Sequence, residues 1–536
     1  MNKIIQFFDK SENYAKNLIC GLMAVILGFL FVESILHTMH LVCDEKTFEG
    51  IFMHHDNIFV NACYFFFIFV ALLFIVPYLE KIPLKIQITV LSVVTFALGL
   101  FWIMTSQCKP ASDSYLIVDA AQKAAENDFS FLKDNYYHNY TYLYGSIAYF
   151  EVLVRLFGEG HSTVLYMQLP NLIYFIASYI GIIIILGKLF NSKRIQSIAS
   201  FTLLFCIQPL LFSVFVYGII PGFCFSVYTL LFEIMYFQSE KKTRYLWAAL
   251  SAIFMMLAVV VKTNNYIVLI AIAGLAFVKF LNRRRLADLA YIIVTVIMSV
   301  SIMPIIVSSY EKRADIELQE SVPMIAWLAM GLDEPHNAAG CTAPGWYSGV
   351  HTSIQHELTG FSSERTAEET MKVVKERLEI FANDFTYAND FFYEKITSQW
   401  NEPTYASLWI NWVRPKYNYG ENDLYKIIIE KNAGNLTEYM NIYQQYIFFA
   451  AFVAVLLCFK KKDILCSGIL LIVLGGFMYH LIFEAKSQYI LPYFVLLCGF
   501  SAVGTDYVYT KLTAYLAESK RKRKNRITAR EPVKKN

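Results

Sequence analysis

Long runs of apolar residues recur along the whole chain and restrict its fold more than any other feature. A helix of about 20 apolar residues crosses the roughly 30 Å hydrocarbon layer of a membrane. The chain has 57% hydrophobic and 17% charged residues. Its charged fraction is well below the value of about a quarter in soluble domains. The sequence therefore predicts an all-α, multi-pass membrane protein. Twelve crossings are predicted, over residues 17–38, 57–78, 86–104, 163–187, 195–214, 221–238, 246–261, 266–278, 289–308, 443–459, 465–483 and 489–506.

Basic residues are concentrated in every second connection between these segments. They occur around residues 81–85, 188–194, 241–244, 283–285 and 460–462, and again in the C-terminal stretch "KRKRKNR". Lysine and arginine are enriched in cytoplasmic connections. We therefore expect cytoplasmic N- and C-termini in a plasma-membrane protein, with the long polar regions on the outer side.

Two polar regions are too long to be simple turns, and functional residues are expected there. The second is rich in tryptophan and tyrosine, which favours a partly helical cap packed on the membrane body over an independent globular ectodomain. The expected segments are an N-terminal membrane part (1–104), an outer catalytic loop with juxtamembrane helices (105–162), a central membrane part (163–308), the large outer loop or cap (309–442), a C-terminal membrane part (443–507) and a basic cytoplasmic tail (508–536).

Lys262 lies in the turn "KTNN" between two short apolar segments, so it is expected below the outer membrane surface. A lysine isolated in lipid costs about 2.5–3.5 kcal/mol on insertion scales. Lys262 then either faces a water-filled cavity or an anionic group, or extends outward to the interface. Two further outer turns, "VYGIIPG" with Tyr217 and "FEAKSQY" with Glu484, Lys486 and Tyr489, could line the same cavity.

Asp113 begins a predicted short amphipathic helix directly after an apolar segment. Ser112 is the expected N-cap, and residues 116, 117, 120, 121 and 124 fall on one apolar side. The aligned peptide dipoles at a helix N-terminus favour an ionised carboxylate. The sequence leaves open whether Asp113 has a capping role alone or a chemical one.

Several function classes lack support in the sequence. No P-loop, dinucleotide fingerprint, metalloprotease motif or nucleophile-elbow motif is present. The cysteines and histidines show no metal-ligand spacing, so we expect no metal site, and a divalent metal has no support. The basic tail is interpreted as an anchor for anionic lipids rather than a nucleic-acid site.

Several stretches, taken in order, resemble the class C glycosyltransferases, specifically bacterial relatives of the protein mannosyltransferases. The resemblance begins with "KPASDSYLIVDAAQKAAENDFSF" and "NYYHNYTYLYGSIAYFEVLVRLFG" and continues through "FVYGIIPG", "VVVKTNNYIVLIAIAGL", "SVPMIAWLAMGL", "GCTAPGWYSG", "EKITSQWNEPTY" and "GGFMYHLIFEAKSQYILPY". It implies a polytopic enzyme that transfers a sugar from a polyprenyl-phosphate carrier to an acceptor outside the membrane, with inversion at the anomeric carbon. The implied partners are the lipid-linked donor, a glycan, lipid or protein acceptor, and membrane lipids.

Under this resemblance Asp113 is the expected general base. The developing charge on the lipid phosphate requires fixed cations and hydrogen-bond donors, and the expected ones are Lys262, Lys486, Asn264, Tyr217 and Tyr489. Glu484, His138 and Tyr140 are the expected acceptor-side or accessory residues; the tyrosine–proline pair usual in this loop appears here as Tyr140 and Thr141.

The base assignment has an alternative, because many relatives carry their acidic motif after the first helix. In this chain that loop reads "CDEKTFEG" and offers Asp44 and Glu45. Two other functions are also considered: a polymerase or ligase of lipid-linked glycans, and a non-enzymatic transporter or flippase. Transporters often show internal repeats and broken helices at the membrane midplane, and no clear repeat is found here.

Overall fold

The computed structural model describes residues 2–43, 49–158, 163–335, 341–413 and 423–528. Within these ranges, eleven helices are long and apolar enough to cross a membrane. The protein is therefore an all-α, multi-pass membrane protein, as the sequence predicts. The eleven helices correspond to eleven of the twelve predicted crossings, and the predicted segment 195–214 has no counterpart among them.

The N-terminal part contains three membrane helices and one β-hairpin. The helices are α1 (Asn2–Leu36), α2 (Ile58–Lys81) and α3 (Leu84–Ser106). Strands β1 (His37–Val42) and β2 (Gly50–His55) lie between α1 and α2 and pair antiparallel. The sequence carries no signal for this hairpin, because the first strand continues directly from a membrane helix with no glycine or proline between them.

Residues 107–158 form a helical layer over one end of the membrane bundle. The helices are α4 (Asp113–Ala125), α5 (Asn135–Asn139) and α6 (Tyr144–Phe157). The predicted apolar side of α4 is buried at Ile117, Ala120, Ala121 and Ala124. Ser112 precedes α4 but does not cap it as predicted. Its φ is 49° rather than extended, and its side chain makes no capping hydrogen bond.

The central part contains seven α-helices, and one predicted membrane crossing is interrupted there. Its helices are α7 (Thr163–Phe190), α8 (Lys193–Leu204), α9 (Gln208–Phe212), α10 (Ile219–Gln238), α11 (Arg244–Val261), α12 (Tyr266–Arg283) and α13 (Leu286–Ala314). The predicted crossing at 195–214 is broken between α8 and α9. The carbonyls of Phe205 and Leu211 instead accept hydrogen bonds from Tyr439 and Asn411, at 2.7 and 2.8 Å. Irregular backbone at this depth is tolerated because other parts of the protein satisfy it.

The described residues of 324–335, 341–413 and 423–431 form the cap, and the chain then returns to the bundle. The cap helices are α14 (Met324–Gly331), α15 (Gln355–Leu358), α16 (Ser363–Asn383), α17 (Phe385–Trp400), α18 (Ser407–Val413) and α19 (Asp423–Tyr425), followed by the membrane helices α20 (Ala433–Cys458), α21 (Gly468–Ile482) and α22 (Leu491–Thr528). The cap is held on the bundle by buried polar contacts. Lys395 donates to the carbonyls of Gly331 and Phe483, and the Gln444 amide donates to the Trp400 carbonyl at 2.8 Å.

We call the end of the bundle under α4–α6 and the cap the loop face. Three turns between membrane helices meet there: residues 213–218 before α10, 262–265 between α11 and α12, and 483–490 between α21 and α22. Gly218 has a φ of 78°, and a Cβ on it would lie 2.1 Å from the Val261 carbonyl oxygen. The first turn thus packs directly against the backbone at the end of α11, where the second turn begins.

Candidate functional site

Two adjoining cavities open at the loop face. The Asp113 chamber, about 290 Å³, lies under the cap and is lined by Asp113, Tyr136, Tyr140, Tyr347, Trp409 and Lys486 among others. The lateral cavity, about 480 Å³, extends toward α12 and α13 and is lined by Lys262, Asn264, Met303, Val307 and Met324 among others. Tyr142, Tyr217, Trp327, Glu484 and Tyr489 line both cavities.

Asp113 is the first residue of α4 and is exposed to the chamber. Its neighbour Ser114 fixes this end of the helix by donating to the Val216 carbonyl at 2.6 Å. Tyr217, one residue further, donates its hydroxyl proton to Asp113 Oδ2 at 3.1 Å. Burial, and then the Asp113 carboxylate, raise the pKa of Tyr136, so this second hydroxyl also remains a donor. The carboxylate is therefore held by phenols and stays accessible from the chamber.

Lys262 directly follows α11 and is only 8% exposed. Its Nζ lies 3.9 Å from the centroid of the Tyr217 ring and 5.6 Å from that of Tyr489. Of the two alternatives from the sequence, the structure places Lys262 at a cavity rather than extended to the interface. Burial lowers the pKa of Lys262 to about 8, against the opposing effect of Glu484 and Asp113. No carboxylate of the described residues forms an ion pair with it.

Lys486 has a different environment from the one expected. It forms a buried ion pair with Glu49, which directly precedes β2, and its Nζ lies 4.9 Å from the centroid of a Trp409 ring. Burial opposes the charge on Lys486, but Glu49 outweighs it and raises the pKa. Because its charge is already neutralised, the expectation of a cation available to a phosphate is not supported for this residue.

Glu484 lies between the two lysines and lines both cavities. The Tyr489 hydroxyl donates to Glu484 Oε1 at 3.4 Å. Burial raises the pKa of Glu484 to about 7, although Lys486 and Lys262 act in the opposite direction. His480 Nδ1 lies 2.8 Å from the Glu484 carbonyl oxygen, and its ring stacks on Tyr489 with centroids 5.5 Å apart. This turn is therefore fixed from both sides.

The remaining expected residues fall in different places. Asn264 lines the lateral cavity, and Tyr140 lines the chamber with its hydroxyl 3.4 Å from that of Tyr347. His138 lines neither cavity: Nε2 donates to the Leu132 carbonyl at 2.8 Å and Nδ1 accepts from the Gln319 amide at 3.0 Å. An accessory role for His138 is thus not supported, since both ring nitrogens are used by the backbone. Asp44 and Glu45 lie outside the described residues.

Sequence reasoning missed several residues that line the site. Trp327 and Trp409 could be recognised as cap aromatics but not as cavity walls, and Tyr136 and Tyr142 carried no separate indication. Glu49 stands in the quoted stretch "CDEKTFEG", yet nothing in that stretch connects it with a lysine 437 residues away. Within the described ranges, no group of three or more histidine, cysteine, aspartate or glutamate residues could hold a metal ion.

The two cavities together present an exposed carboxylate, an unpaired buried cation and aromatic walls. A carboxylate within hydrogen-bonding distance of a hydroxyl can remove its proton. A cation fixed in a site of low water content stabilises a developing anion. The arrangement is therefore suited to forming a bond between a hydroxyl oxygen and a carbon atom from which an anionic group departs.

Comparisons with known proteins give distant likenesses to solved structures and no other match. No protein-family model and no curated protein matches the chain. One similar solved structure is the oligosaccharyltransferase AglB of the archaeon Archaeoglobus fulgidus, in complex with an inhibitory peptide and a dolichol-phosphate, at 13% identity and a TM-score of 0.43. The match covers 82% of this chain but only 52% of AglB.

Another is ArnT of Cupriavidus metallidurans bound to undecaprenyl phosphate. It is 12% identical, with 77% of each chain covered and a TM-score of 0.32. At these scores the two matches stand as likenesses only.

Proposed function

We propose that this protein is a membrane glycosyltransferase that transfers a sugar from a polyprenyl-phosphate-linked donor to an acceptor hydroxyl, with inversion. The acceptor is a glycan, lipid or protein on the loop-face side of the membrane. The observation that carries the proposal is the bridge formed by Tyr217. Its hydroxyl donates to Asp113 and its ring lies 3.9 Å from Lys262 Nζ, so the candidate base and the unpaired cation meet across one side chain.

The donor lipid phosphate is assigned to the lateral cavity. Lys262 supplies the positive charge there, and Asn264 supplies an amide donor. Met303 and Val307 of α13 and Met324 of α14 give one wall an apolar surface suited to the first units of an isoprenoid chain. A lipid-borne donor is therefore expected to enter between these helices from the plane of the membrane.

The sugar and the acceptor are assigned to the Asp113 chamber. Its tyrosine and tryptophan side chains offer flat faces and hydroxyl or indole donors, which suit sugar rings. Asp113 removes the proton of the acceptor hydroxyl. The acceptor oxygen then bonds to the anomeric carbon while the bond from that carbon to the phosphate oxygen breaks, and the electron pair leaves with the lipid phosphate beside Lys262. One displacement on the face opposite the leaving group inverts the anomeric carbon.

Lys486 has a structural role in this proposal. Its ion pair with Glu49 connects the β-hairpin to the turn that carries Glu484 and Tyr489. The pair therefore holds one wall of the chamber, and among the described lining residues Lys262 is the cation assigned to the phosphate.

The proposal is tested with the purified protein in lipid vesicles and a set of polyprenyl-phosphate sugars labelled in the sugar. We expect transfer or slow hydrolysis of at least one donor. Asp113→Asn should lower this rate by about 10²–10⁴-fold, the usual contribution of a general base. Asp119→Asn is the matched control: Asp119 lies on the same helix, pairs with Lys123 at 2.7 Å and lines neither cavity.

The result that would overturn the proposal is equally direct. It would be the absence of turnover of every donor by folded protein, or an Asp113→Asn rate equal to that of Asp119→Asn. Retained activity in Asp113→Asn would favour a polymerase or ligase that relies on basic residues.

A further inference from the structure

Among the described residues, Glu484 is the one acidic side chain that lines both cavities, and it therefore lies where the proposed phosphate and sugar would meet. In the lateral cavity it shares the wall with Lys262, Asn264 and Tyr489. An ionised carboxylate only accepts hydrogen bonds, and so do the two free oxygens of a phosphodiester. Two such groups in one enclosed space repel each other. The cavity can bind the anion without this repulsion only if Glu484 carries a proton.

We infer that Glu484 binds the donor phosphate as a neutral carboxylic acid, donating a hydrogen bond to a free phosphate oxygen, so that donor binding takes up a proton. The inference rests on the proposed function, because it needs a phosphate beside Lys262. It adds a residue that recognises the phosphate through protonation rather than through fixed positive charge.

The surroundings of Glu484 favour the neutral form before any ligand arrives. Burial is the largest influence and raises the pKa of Glu484 to about 7. Asp113 on α4 and Glu49 before β2 act in the same direction, whereas Lys486 and Lys262 oppose them. The other titratable groups that face it are Lys395 of α17, Tyr479 and His480 of α21, and Cys341, Tyr142, Tyr347 and Tyr489.

The charge count of the two cavities points the same way. Lys486 is neutralised by Glu49, which leaves Lys262 as the only unpaired cation among the described lining residues. Asp113 already supplies one negative charge next to it. An ionised Glu484 would add a second, and the phosphate a third, against a single lysine. With Glu484 protonated, the phosphate gains a hydrogen-bond donor and loses a repelling charge.

The sign of the pH dependence follows from these charges. Below pH 7 Glu484 is mostly neutral and Lys262 is charged, so the anion meets a donor and a cation. As the pH rises through 7, Glu484 ionises and affinity falls; above pH 8 Lys262 also loses its charge. A ligand that displaces the pKa of Glu484 by one unit binds its neutral form about tenfold more tightly than its ionised form.

The test uses the methyl phosphodiester of a short polyprenol, which carries one charge at every pH used, bound to the full-length protein in detergent. Calorimetry in two buffers of different protonation enthalpy counts the protons taken up on binding. At pH 7 we expect uptake of up to about half a proton by the wild type. Glu484→Gln, which stays neutral and keeps a donor, should take up almost none and should bind more tightly than the wild type at pH 8.5.

A variant and a control complete this test. Glu484→Met, which has neither charge nor donor, should bind more weakly than Glu484→Gln at both pH values. Glu379→Gln, on the exposed surface of α16, should behave as the wild type. Equal proton uptake by the wild type and Glu484→Gln, or no uptake by either, would overturn the inference.

The outcome is separable from that of the proposed function. Binding with proton uptake but without sugar transfer would support the role of Glu484 and count against the transferase. Transfer without linked proton uptake would do the reverse. No binding of the phosphodiester at any pH would overturn both.

Discussion

At the scale of single residues, Lys262 and Lys486 occupy similar turns but differ in their partners. Both are buried and both lie against aromatic rings. Lys486 has Glu49 as its counter-charge, while Lys262 has only the rings of Tyr217 and Tyr489 and the more distant carboxylates. A buried charge without a partner is costly. A ligand anion would offset this cost, which supports the proposal that Lys262 rather than Lys486 binds the donor phosphate.

The buried ion pair leads to a prediction about stability. Lys486→Gln leaves Glu49 buried and unpaired, so we expect the free energy of unfolding to fall by about 3–5 kcal/mol. The double variant Glu49→Gln/Lys486→Gln should recover much of this loss, because neither charge of the pair remains. Chemical denaturation in detergent measures both.

Lys123→Gln is the control for this comparison. Its ion pair with Asp119 is partly exposed, so the loss should stay below about 1 kcal/mol. Equal losses in Lys486→Gln and Lys123→Gln would show that the Glu49 pair contributes no more to the free energy of unfolding than a partly exposed pair.

The candidate site could be predicted from the sequence only in part. Lys262 and the outer turns can be recognised because a charged residue at the tip of an apolar hairpin costs free energy unless it faces water or a partner. Glu49 could not be found this way, since its partner is set by the folding of distant segments. The roles of Asp113 and the other site residues remain proposals. Both ring nitrogens of His138 form hydrogen bonds with the backbone, which its position near a motif does not reveal.

At the scale of elements, the site depends on how closely the turns of the membrane helices approach each other. Gly218 allows residues 213–218 to lie against the end of α11, where Ser146 of α6 also donates to the Val261 carbonyl at 2.7 Å. Tyr217 is positioned by this contact, and with it the bridge between Asp113 and Lys262. The geometry of the site is therefore set by backbone packing as much as by side chains.

Gly218→Ala should disturb this contact. The new Cβ would lie 2.1 Å from the Val261 oxygen, and the φ of 78° disfavours any residue with a Cβ. We expect a loss of about 2 kcal/mol in stability and, since a displacement of 1 Å can cost about 10²-fold in rate, a large loss of sugar transfer. Both are measured on the purified variant.

Gly274→Ala on α12 is the matched control. A Cβ there has no atom within 4 Å, so stability and transfer should be unchanged or slightly improved. Wild-type transfer by Gly218→Ala would mean that this close approach does not position Tyr217.

The break between α8 and α9 and the β-hairpin were not predicted from the sequence for the same reason: both depend on contacts with distant parts of the chain. Hydropathy identifies segments that are apolar over about 20 residues, and α8 with α9 together satisfy that criterion. The break at Phe205 is possible only because side chains of α18 and α20 reach the freed carbonyls, as Asn411 and Tyr439 do. The β-hairpin likewise pairs only within a tertiary setting, since Met39 donates its amide proton to the Asn401 carbonyl at 3.0 Å.

At the scale of the whole molecule, the loop face gathers the polar residues and both cavities at one end of an apolar bundle. The basic stretch at the C-terminal end of α22 lies at the end of a 38-residue helix that starts beside Tyr489. A helix of that length extends about 57 Å, more than the thickness of a membrane. We therefore expect the loop face and the basic stretch on opposite sides.

This orientation is tested with single cysteines and a membrane-impermeant maleimide on intact cells. Glu364→Cys, exposed on α16 of the cap, should be labelled. Glu518→Cys, exposed on α22, should react only after permeabilisation. The unsubstituted protein gives the background from the native cysteines, and labelling of Glu518→Cys alone in intact cells would invert the topology.

The central claim is that Asp113 and Lys262 serve one reaction, one residue acting on the acceptor and the other on the donor phosphate. The most direct test measures donor binding and single-turnover transfer in Asp113→Asn and Lys262→Gln side by side. We predict that Asp113→Asn binds the lipid-linked donor as the wild type does but transfers its sugar about 10²–10⁴-fold more slowly, while Lys262→Gln loses donor affinity. Wild-type single-turnover transfer by Asp113→Asn, or unchanged donor affinity in Lys262→Gln, would contradict the account.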